Sequence, residues 1–150
     1  MSLFFVDCEA PFGVGSPAVG DMTEFGAVLF DENLPSRDWH RFHGVGCDRE
    51  TFMVFEDWVL HENLGRRAVF VSDNPAYDWQ WVNFYFWKWL GRNPFGHSAR
   101  RIGDFYAGLV GDFRRANEWK RLRVTKHDHN PVHDAMGNAE AFGRLLAGQR

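Results

Sequence analysis

Two acidic side chains lie two residues apart near the start of the chain, in the mostly apolar run over residues 3–9. Because the side chains of a strand alternate between its faces, Asp7 and Glu9 would project from the same side. Neighbouring carboxylates in an apolar strand repel each other unless a cation lies between them, so the pair indicates a site for a hard divalent metal. The alternative is a strand end at which both acids reach solvent.

A third candidate carboxylate follows the short apolar run over residues 68–71. Asp78 closes the segment that begins at Asn74 and would lie in the first turn of a helix, next to a strand end where open α/β sheets gather ligand sites. Its alternative role is to complement the helix dipole. Asp73 is a further candidate, but its position before the turn favours its interpretation as a turn residue.

Three histidines and two aspartates occur within residues 127–134. Asn130 as N-cap and Pro131 at the first helical position predict a helix, so His129 would precede it and Asp134 would lie in its first turn. The imidazole would then be able to act as a general base near neutral pH while the carboxylate binds metal. A solvated polar turn and a histidine-rich transition-metal site are the alternatives.

The elements that must position these side chains follow from apolar periodicity and turn residues. Strands are predicted over residues 3–9, 23–30, 39–45, 68–71 and 100–102. Helices are predicted between Asp48 and Gly65, over residues 77–90, from near Asp104 and from Pro131 onward. An antiparallel meander followed by alternating strands and helices is typical of an α/β domain with a mixed sheet flanked by helices, the ribonuclease-H-like type among others.

Composition and charge agree with one soluble domain over residues 1–150, since 45% of the side chains are hydrophobic and 25% are charged. The formal net charge is −3, but residues 1–62 carry −9 and residues 63–150 carry +6. This division is typical of a metal-dependent enzyme that acts on polyanions. No apolar run is long enough to cross a membrane and the N-terminus lacks the basic region of a signal peptide, so we expect a cytoplasmic protein without a membrane partner.

Contacts to a polyanion are predicted chiefly in residues 114–126, called here the basic segment. It contains Arg114, Arg115, Lys120, Arg121, Arg123 and Lys126. With Glu118 as its one acid, the segment carries enough charge to follow a phosphate backbone, although a solvated face is the alternative. The aromatic series over residues 79–89 is interpreted mainly as core or subunit interface, with base stacking as its alternative role.

Taken in order, the motifs Asp7-x-Glu9, Asn74-x-x-Tyr77-Asp78 and His129-x4-Asp134 resemble the DEDDh branch of the DnaQ-like 3'-to-5' exonucleases. Residues 24–28 resemble the second strand of that family and residues 102–104 its late strand-to-helix turn, so the resemblance covers nearly the whole chain. The short length and the motif contexts look most like small stand-alone bacterial and phage exoribonucleases.

Two departures from the family pattern affect the site. Ala10, Pro11 and Phe12 follow Glu9 where many relatives carry threonine, so contacts to the terminal nucleotide are not carried over. His133 lies beside Asp134, which leaves His129 and His133 as candidates for the general base. The five-residue spacing to the aspartate favours His129.

The resemblance implies a metal-dependent exonuclease with two divalent ions, Mg²⁺ or Mn²⁺, held about 3.5–4 Å apart. The implied ligands are Asp7, Glu9, Asp78 and Asp134. By the family pattern Asp7 bridges both ions and His129 deprotonates the attacking water. Asn74 and Tyr77 are candidate substrate contacts beside Asp78, in addition to the basic segment. The implied substrate is the 3' end of single-stranded RNA, or of DNA, with nucleoside 5'-monophosphates as products. A homodimer would enlarge the basic surface.

Two rival classes stay open on the sequence. The adjacent His133 and Asp134 suggest an HD-type phosphohydrolase, whose fold is essentially all helical, and the predicted β meander argues against it. A binding module that keeps the fold without catalysis is the non-enzymatic rival, and the presence of all five implied site residues argues against it.

Overall fold

A computed structural model describes residues 1–149 and contains one mixed sheet of five strands. The strands are β1 (Ser2–Glu9), β2 (Glu24–Phe30), β3 (Arg41–Val45), β4 (Ala68–Ser72) and β5 (Ala99–Arg101). Their order is β3-β2-β1-β4-β5, with β2 antiparallel to both β1 and β3, and with β4 parallel to both β1 and β5. The predicted mixed sheet is confirmed, and its strand content makes the helical HD-type alternative wrong.

Four helices flank the sheet. They are α1 (Arg49–Glu62), α2 (Pro75–Leu90), α3 (Ile102–Val110) and α4 (Pro131–Leu146). The predicted caps are present, since the Asp48 carboxylate accepts the Thr51 N–H at 2.8 Å and the Asn130 side chain accepts the N–H of Val132 at 3.1 Å. Helix α3 begins directly after β5, two residues earlier than predicted. Between α3 and α4 the chain forms only short 3₁₀ turns, Phe113–Arg115 and Glu118–Leu122.

Two hydrophobic clusters lie on opposite faces of the sheet. Phe4 and Val6 of β1 belong to the cluster covered by α1 and α2, whereas Phe5 belongs to the cluster with α3 and α4. Strand alternation therefore directs Asp7 and Glu9 toward the face on which α4 packs. Most of the aromatic series of α2 is buried or half-buried, which confirms its interpretation as core, while Phe84 and Trp87 are exposed.

The two cysteines are free thiols; Cys8 is buried and Cys47 is half-buried. Within residues 1–149, no helix has both the length and the apolar character that a bilayer crossing requires.

Candidate active site

The end of β1 and the first turn of α4 bring three carboxylates together. Asp7 is buried near the end of β1, Glu9 is its half-buried last residue, and Asp134 is 1% exposed on α4. Each of the three contributes an oxygen atom to a group in which all atoms lie within 4.8 Å of one another. This spacing allows one cation to contact all three side chains.

A second group of carboxylates shares Asp7 with the first. Asp73, from the turn after β4, and Asp78, from the first turn of α2, each place an oxygen within 4.8 Å of an Asp7 oxygen and of each other. The Asp78 Oδ1 atom accepts the Cys8 N–H at 3.1 Å. Asp73 lies in the turn after β4, as predicted, and the parallel pairing of β1 and β4 also carries this turn toward Asp7.

Burial and mutual repulsion disfavour ionisation of these carboxyl groups. Burial is the largest cause that raises the pKa of Asp7, followed by the charges of Asp78 and Asp134. Burial also raises the pKa of Asp78, followed by the charge of Asp73. Burial raises the pKa of Glu9 as well, and His129 opposes that shift. Burial and the neighbouring carboxylates thus favour the protonated, neutral form of these carboxyl groups unless a bound cation compensates their negative charge.

The chemistry of the donors fits a hard divalent metal. The two carboxylate groups offer oxygen atoms alone, the ligands that Mg²⁺ and Mn²⁺ prefer. Asp78 is 2% exposed, and its Oδ2 atom has no hydrogen-bond partner among residues 1–149. A buried acceptor without a donor is uncommon in native proteins, and a cation beside it would satisfy that oxygen.

The structure separates the two candidate histidines. His129 has a left-handed backbone (φ 62°) and its Nδ1 atom lies 3.5 Å from Glu9 Oε1, at the first carboxylate group. The Nδ1 atom of His133 lies 2.9 Å from Asp128 Oδ2 instead. Of the two, only His129 contacts a carboxylate of the group around Asp7.

A third histidine, His127, was missed as a site residue by the sequence argument. Its Nδ1 atom lies 2.6 Å from Asp134 Oδ2, and its ring centroid is 4.4 Å from that of His129. The sequence signal for His127 was the density of histidines in residues 127–134.

Asn74 and Tyr77, the two predicted substrate contacts near Asp78, lie at the start of α2, Asn74 as its N-cap and Tyr77 in its first turn. Asn74 is exposed, and its carbonyl oxygen accepts the N–H groups of Tyr77 at 2.9 Å and of Asp78 at 3.0 Å. Tyr77 is half-buried; burial is the largest cause that raises its pKa, and the charge of Glu9 adds to the shift. Both residues therefore lie near the carboxylates, at the start of the same helix.

Three cations of the basic segment border the carboxylates. A pocket of about 420 Å³ is lined by Asp7, Asp73, Lys120, Arg123, Lys126 and His127. Lys120 Nζ donates to Asp73 Oδ2 at 2.7 Å, and the Arg123 guanidinium also donates to this oxygen and to the Asn138 side chain. The pocket thus combines a carboxylate floor with a cationic wall.

The other three cations of the basic segment do not line this pocket. Arg114 forms two hydrogen bonds with the Asp112 carboxylate, and both Arg115 and Arg121 pair with Glu118 at about 3 Å. The predicted track of six positive side chains is therefore divided into two groups, of which one reaches the carboxylates.

Comparison with known proteins agrees with this geometry, although no family model matches the sequence. The chain is 36% identical over 115 residues to the 3'-5' DNA exonuclease Cap18 of Escherichia coli, a match that covers 71% of this chain and 60% of that protein. The fold resembles the nuclease domain of 3'hExo, described as a DEDDh family member bound to rAMP, with a TM-score of 0.73 and 14% identity over 98% of this chain and 91% of that one. The chain is therefore similar to a 3'-5' DNA exonuclease over most of its own length, and its fold is that of a DEDDh family member.

A second solved structure extends the agreement in fold. A 3'-exonuclease described in the 3'-end specific recognition of the histone mRNA stem-loop aligns with this chain at a TM-score of 0.69 and 13% identity, over 98% of this chain and 82% of that one. The mixed sheet flanked by four helices is therefore the ribonuclease-H-like fold of these exonucleases, as predicted.

Proposed function

We propose that this chain is a divalent-metal-dependent 3'-to-5' exonuclease of the DEDDh family that releases nucleoside 5'-monophosphates from single-stranded 3' ends. The observation that carries the proposal is the position of Asp7 in both carboxylate groups, one with Glu9 and Asp134 and the other with Asp78. A carboxylate shared between two neighbouring oxygen sites is suited to a pair of ions, as phosphoryl-transfer enzymes use them.

Asp7, Glu9 and Asp134 would hold one Mg²⁺ or Mn²⁺ ion, and Asp7 with Asp78 would hold the second. When bound, the ions activate water and stabilise negative charge on the attacking and leaving oxygens. The ends of the strand and helices that carry these carboxyl groups fix the positions of their oxygens. The remaining steps are carried out by the His129 imidazole and by the groups that orient the nucleic-acid substrate.

His129 is proposed as the general base. Its Nδ1 atom faces Glu9 at 3.5 Å, which leaves Nε2 to take a proton from the attacking water. The water oxygen bonds to the phosphorus of the terminal phosphodiester, and the bond from phosphorus to the 3' oxygen of the preceding nucleotide breaks. That oxygen leaves as a 3'-hydroxyl once protonated, and the terminal nucleotide departs as its 5'-monophosphate.

Lys120, Arg123 and Lys126 are proposed to bind backbone phosphates at the pocket wall, with Asn74 and Tyr77 contacting the terminal nucleotide from the start of α2. Arg114, Arg115 and Arg121 remain predicted contacts for a longer strand. The single-domain organisation over residues 1–150, the homodimer and the cytoplasmic location stay predictions.

RNA was the substrate expected from the sequence, and DNA is a second candidate with a specific observation in its favour. The relative at 36% identity is named a DNA exonuclease, whereas the structural neighbours described with rAMP or with histone mRNA share 14% or less of the sequence. This chain spans 60% of the length of that relative. The test therefore compares RNA with DNA as the substrate.

The decisive experiment is a time course with 3'-labelled and 5'-labelled RNA and DNA oligomers in Mg²⁺, Mn²⁺ or EDTA. We expect the 3' label to appear as a mononucleotide, the 5' label to appear in products shortened stepwise, and EDTA to abolish both. Asp7→Ala should remove nearly all turnover, while Asp38→Ala, which alters an exposed acid outside both carboxylate groups, should not. Turnover by Asp7→Ala at the wild-type rate, or shortening from the 5' end, would contradict the proposal, and metal-dependent release of mononucleotides would dismiss the inactive binding module.

A further inference from the structure

Asp73 is not among the residues that the proposed function assigns to the metal ions or to the general base. It follows β4 directly, and an oxygen of its carboxylate lies within 4.8 Å of oxygens of both Asp7 and Asp78. These are the two residues that the proposed function assigns to the second ion. A third carboxylate at this distance is close enough to contact the same cation.

The Asp73 carboxylate is held toward this group by positive side chains. Lys120 Nζ at 2.7 Å and the Arg123 guanidinium at 3.5 Å both donate to Oδ2. Arg101 donates to the Asp73 carbonyl oxygen at 3.2 Å and so fixes the backbone of the turn. Because a carboxylate has two oxygens and about four acceptor positions, Asp73 can keep Lys120 and still offer an oxygen to a cation.

An independent observation points to a ligand between these carboxylates. Asp78 is almost completely buried, and its Oδ2 atom has no hydrogen-bond donor among residues 1–149. Two acids pressed together, one with an unsatisfied oxygen, match the chemistry of a divalent-cation site.

We propose that Asp73 is a fifth carboxylate of the metal centre and a direct ligand of the ion that Asp7 and Asp78 hold. The inference rests on the proposed function, which supplies the ion. Lys120 and Arg123 pair with Asp73 when no ion is bound, so its charge is compensated in both states. Because the ammonium group of Lys120 stays on the same carboxylate, its positive charge weakens binding of the ion.

The test uses Tb³⁺, an oxygen-seeking probe whose luminescence lifetimes in H₂O and D₂O give the number of water molecules bound to the ion. Asp73→Ala should raise the number of bound waters per protein at saturation, since water replaces the lost carboxylate oxygen. It should also weaken Mn²⁺ binding, measured by calorimetry, by at least about tenfold. Asp73→Asn keeps the shape of the side chain and therefore controls for any loosening of the turn by Asp73→Ala. It should also weaken Mn²⁺ binding.

Lys120→Met is the matched control because it breaks the same ion pair from the other side and keeps the carboxylate. We expect it to leave the bound-water number unchanged and to leave Mn²⁺ affinity equal or higher. If Asp73 merely anchors the cations, then Asp73→Ala and Lys120→Met would both leave the water number at the wild-type value, and the inference would be overturned. Absence of Tb³⁺ and Mn²⁺ binding by the wild-type chain would overturn the metal-dependent function as well, so the two failures are distinguishable.

Discussion

Gly26 on β2 and Pro131 at the start of α4 pack backbone against backbone. A Cβ atom at position 26 would lie 2.3 Å from the Pro131 carbonyl carbon, a distance at which neither chain could stay in place. Gly26 is also the antiparallel partner of Asp7 in the pairing of β1 with β2. The absence of a side chain at one position thus allows the helix that carries Asp134 to approach the strand that carries Asp7.

Gly26→Ala should therefore displace the start of α4 and separate the two carboxylates. Overpacking of this kind lowers the free energy of unfolding by about 1–3 kcal/mol, and the displaced Asp134 should weaken Mn²⁺ binding as well. Gly108→Ala is the control, since a Cβ there meets nothing within 4 Å and helix α3 should be unchanged or more stable. Thermal unfolding and Mn²⁺ calorimetry check both variants. Equal stability and equal Mn²⁺ affinity for Gly26→Ala and the wild type would show that α4 does not depend on this close approach.

The metal-free protein should lose stability as pH rises between about pH 5 and pH 8. Burial, then neighbouring acids, raises the pKa of Asp7 to about 9 and that of Asp78 to about 8. The folded chain therefore binds more protons than the unfolded chain, whose carboxyl groups titrate near pH 4, so the stabilising protons are lost as pH rises toward these values. The melting temperature in EDTA, measured across this range, should fall, and Mg²⁺ should restore it chiefly at the alkaline end.

Asp7→Asn isolates the contribution of the carboxyl group, because the amide resembles the protonated acid at every pH. At pH 8 in EDTA it should melt higher than the wild type by about 3 °C or more, the equivalent of about 1 kcal/mol in a domain of this size. In Mn²⁺ the order should reverse, since the variant lacks the shared ligand. A wild-type melting temperature that rises with pH in EDTA would contradict the predicted sign.

His129 and His133 should differ in their effect on turnover. His129→Ala should lower kcat by about 10²–10⁴, the usual contribution of a general base. His133→Ala should leave kcat within severalfold of the wild type, because that ring contacts Asp128 rather than a carboxylate of the group around Asp7. The measurement is single-turnover hydrolysis of a 5'-labelled oligomer as a function of pH. The opposite ranking of the two variants would assign the base to His133.

The start of α4 was predictable because its signals are local. Asn130 and Pro131 are adjacent in sequence, and the predicted cap and first helical residue are both found. The side on which Asp7 and Glu9 lie followed from strand alternation in the same way. Helix and strand signals depend on neighbouring residues, so the elements that carry the five site residues could be predicted without knowledge of the tertiary structure.

Asp73 shows what these local signals do not contain. Its partner Lys120 is 47 residues away, and the intervening chain contains two helices and a strand. Turn propensity correctly predicted that the backbone of Asp73 forms a turn, but it did not indicate where the Asp73 carboxylate would lie. Likewise, the charge count over the basic segment began at Arg114 and so left out Asp112, the acid that pairs with it. A pattern of residue types does not show which opposite charges meet.

The division of the basic segment predicts two classes of salt dependence. Lys126→Ala removes a cation from the pocket that contains Asp7, so it should weaken binding of a single-stranded oligomer and reduce the slope of log affinity against log salt by about 0.7. Arg114→Ala removes a guanidinium already paired with Asp112 and should change the slope far less. Fluorescence anisotropy at several salt concentrations, with Asp7→Asn as the background that prevents hydrolysis, gives both values. Equal slopes for the two variants would mean that the whole basic segment, including the cations paired within it, contacts the strand.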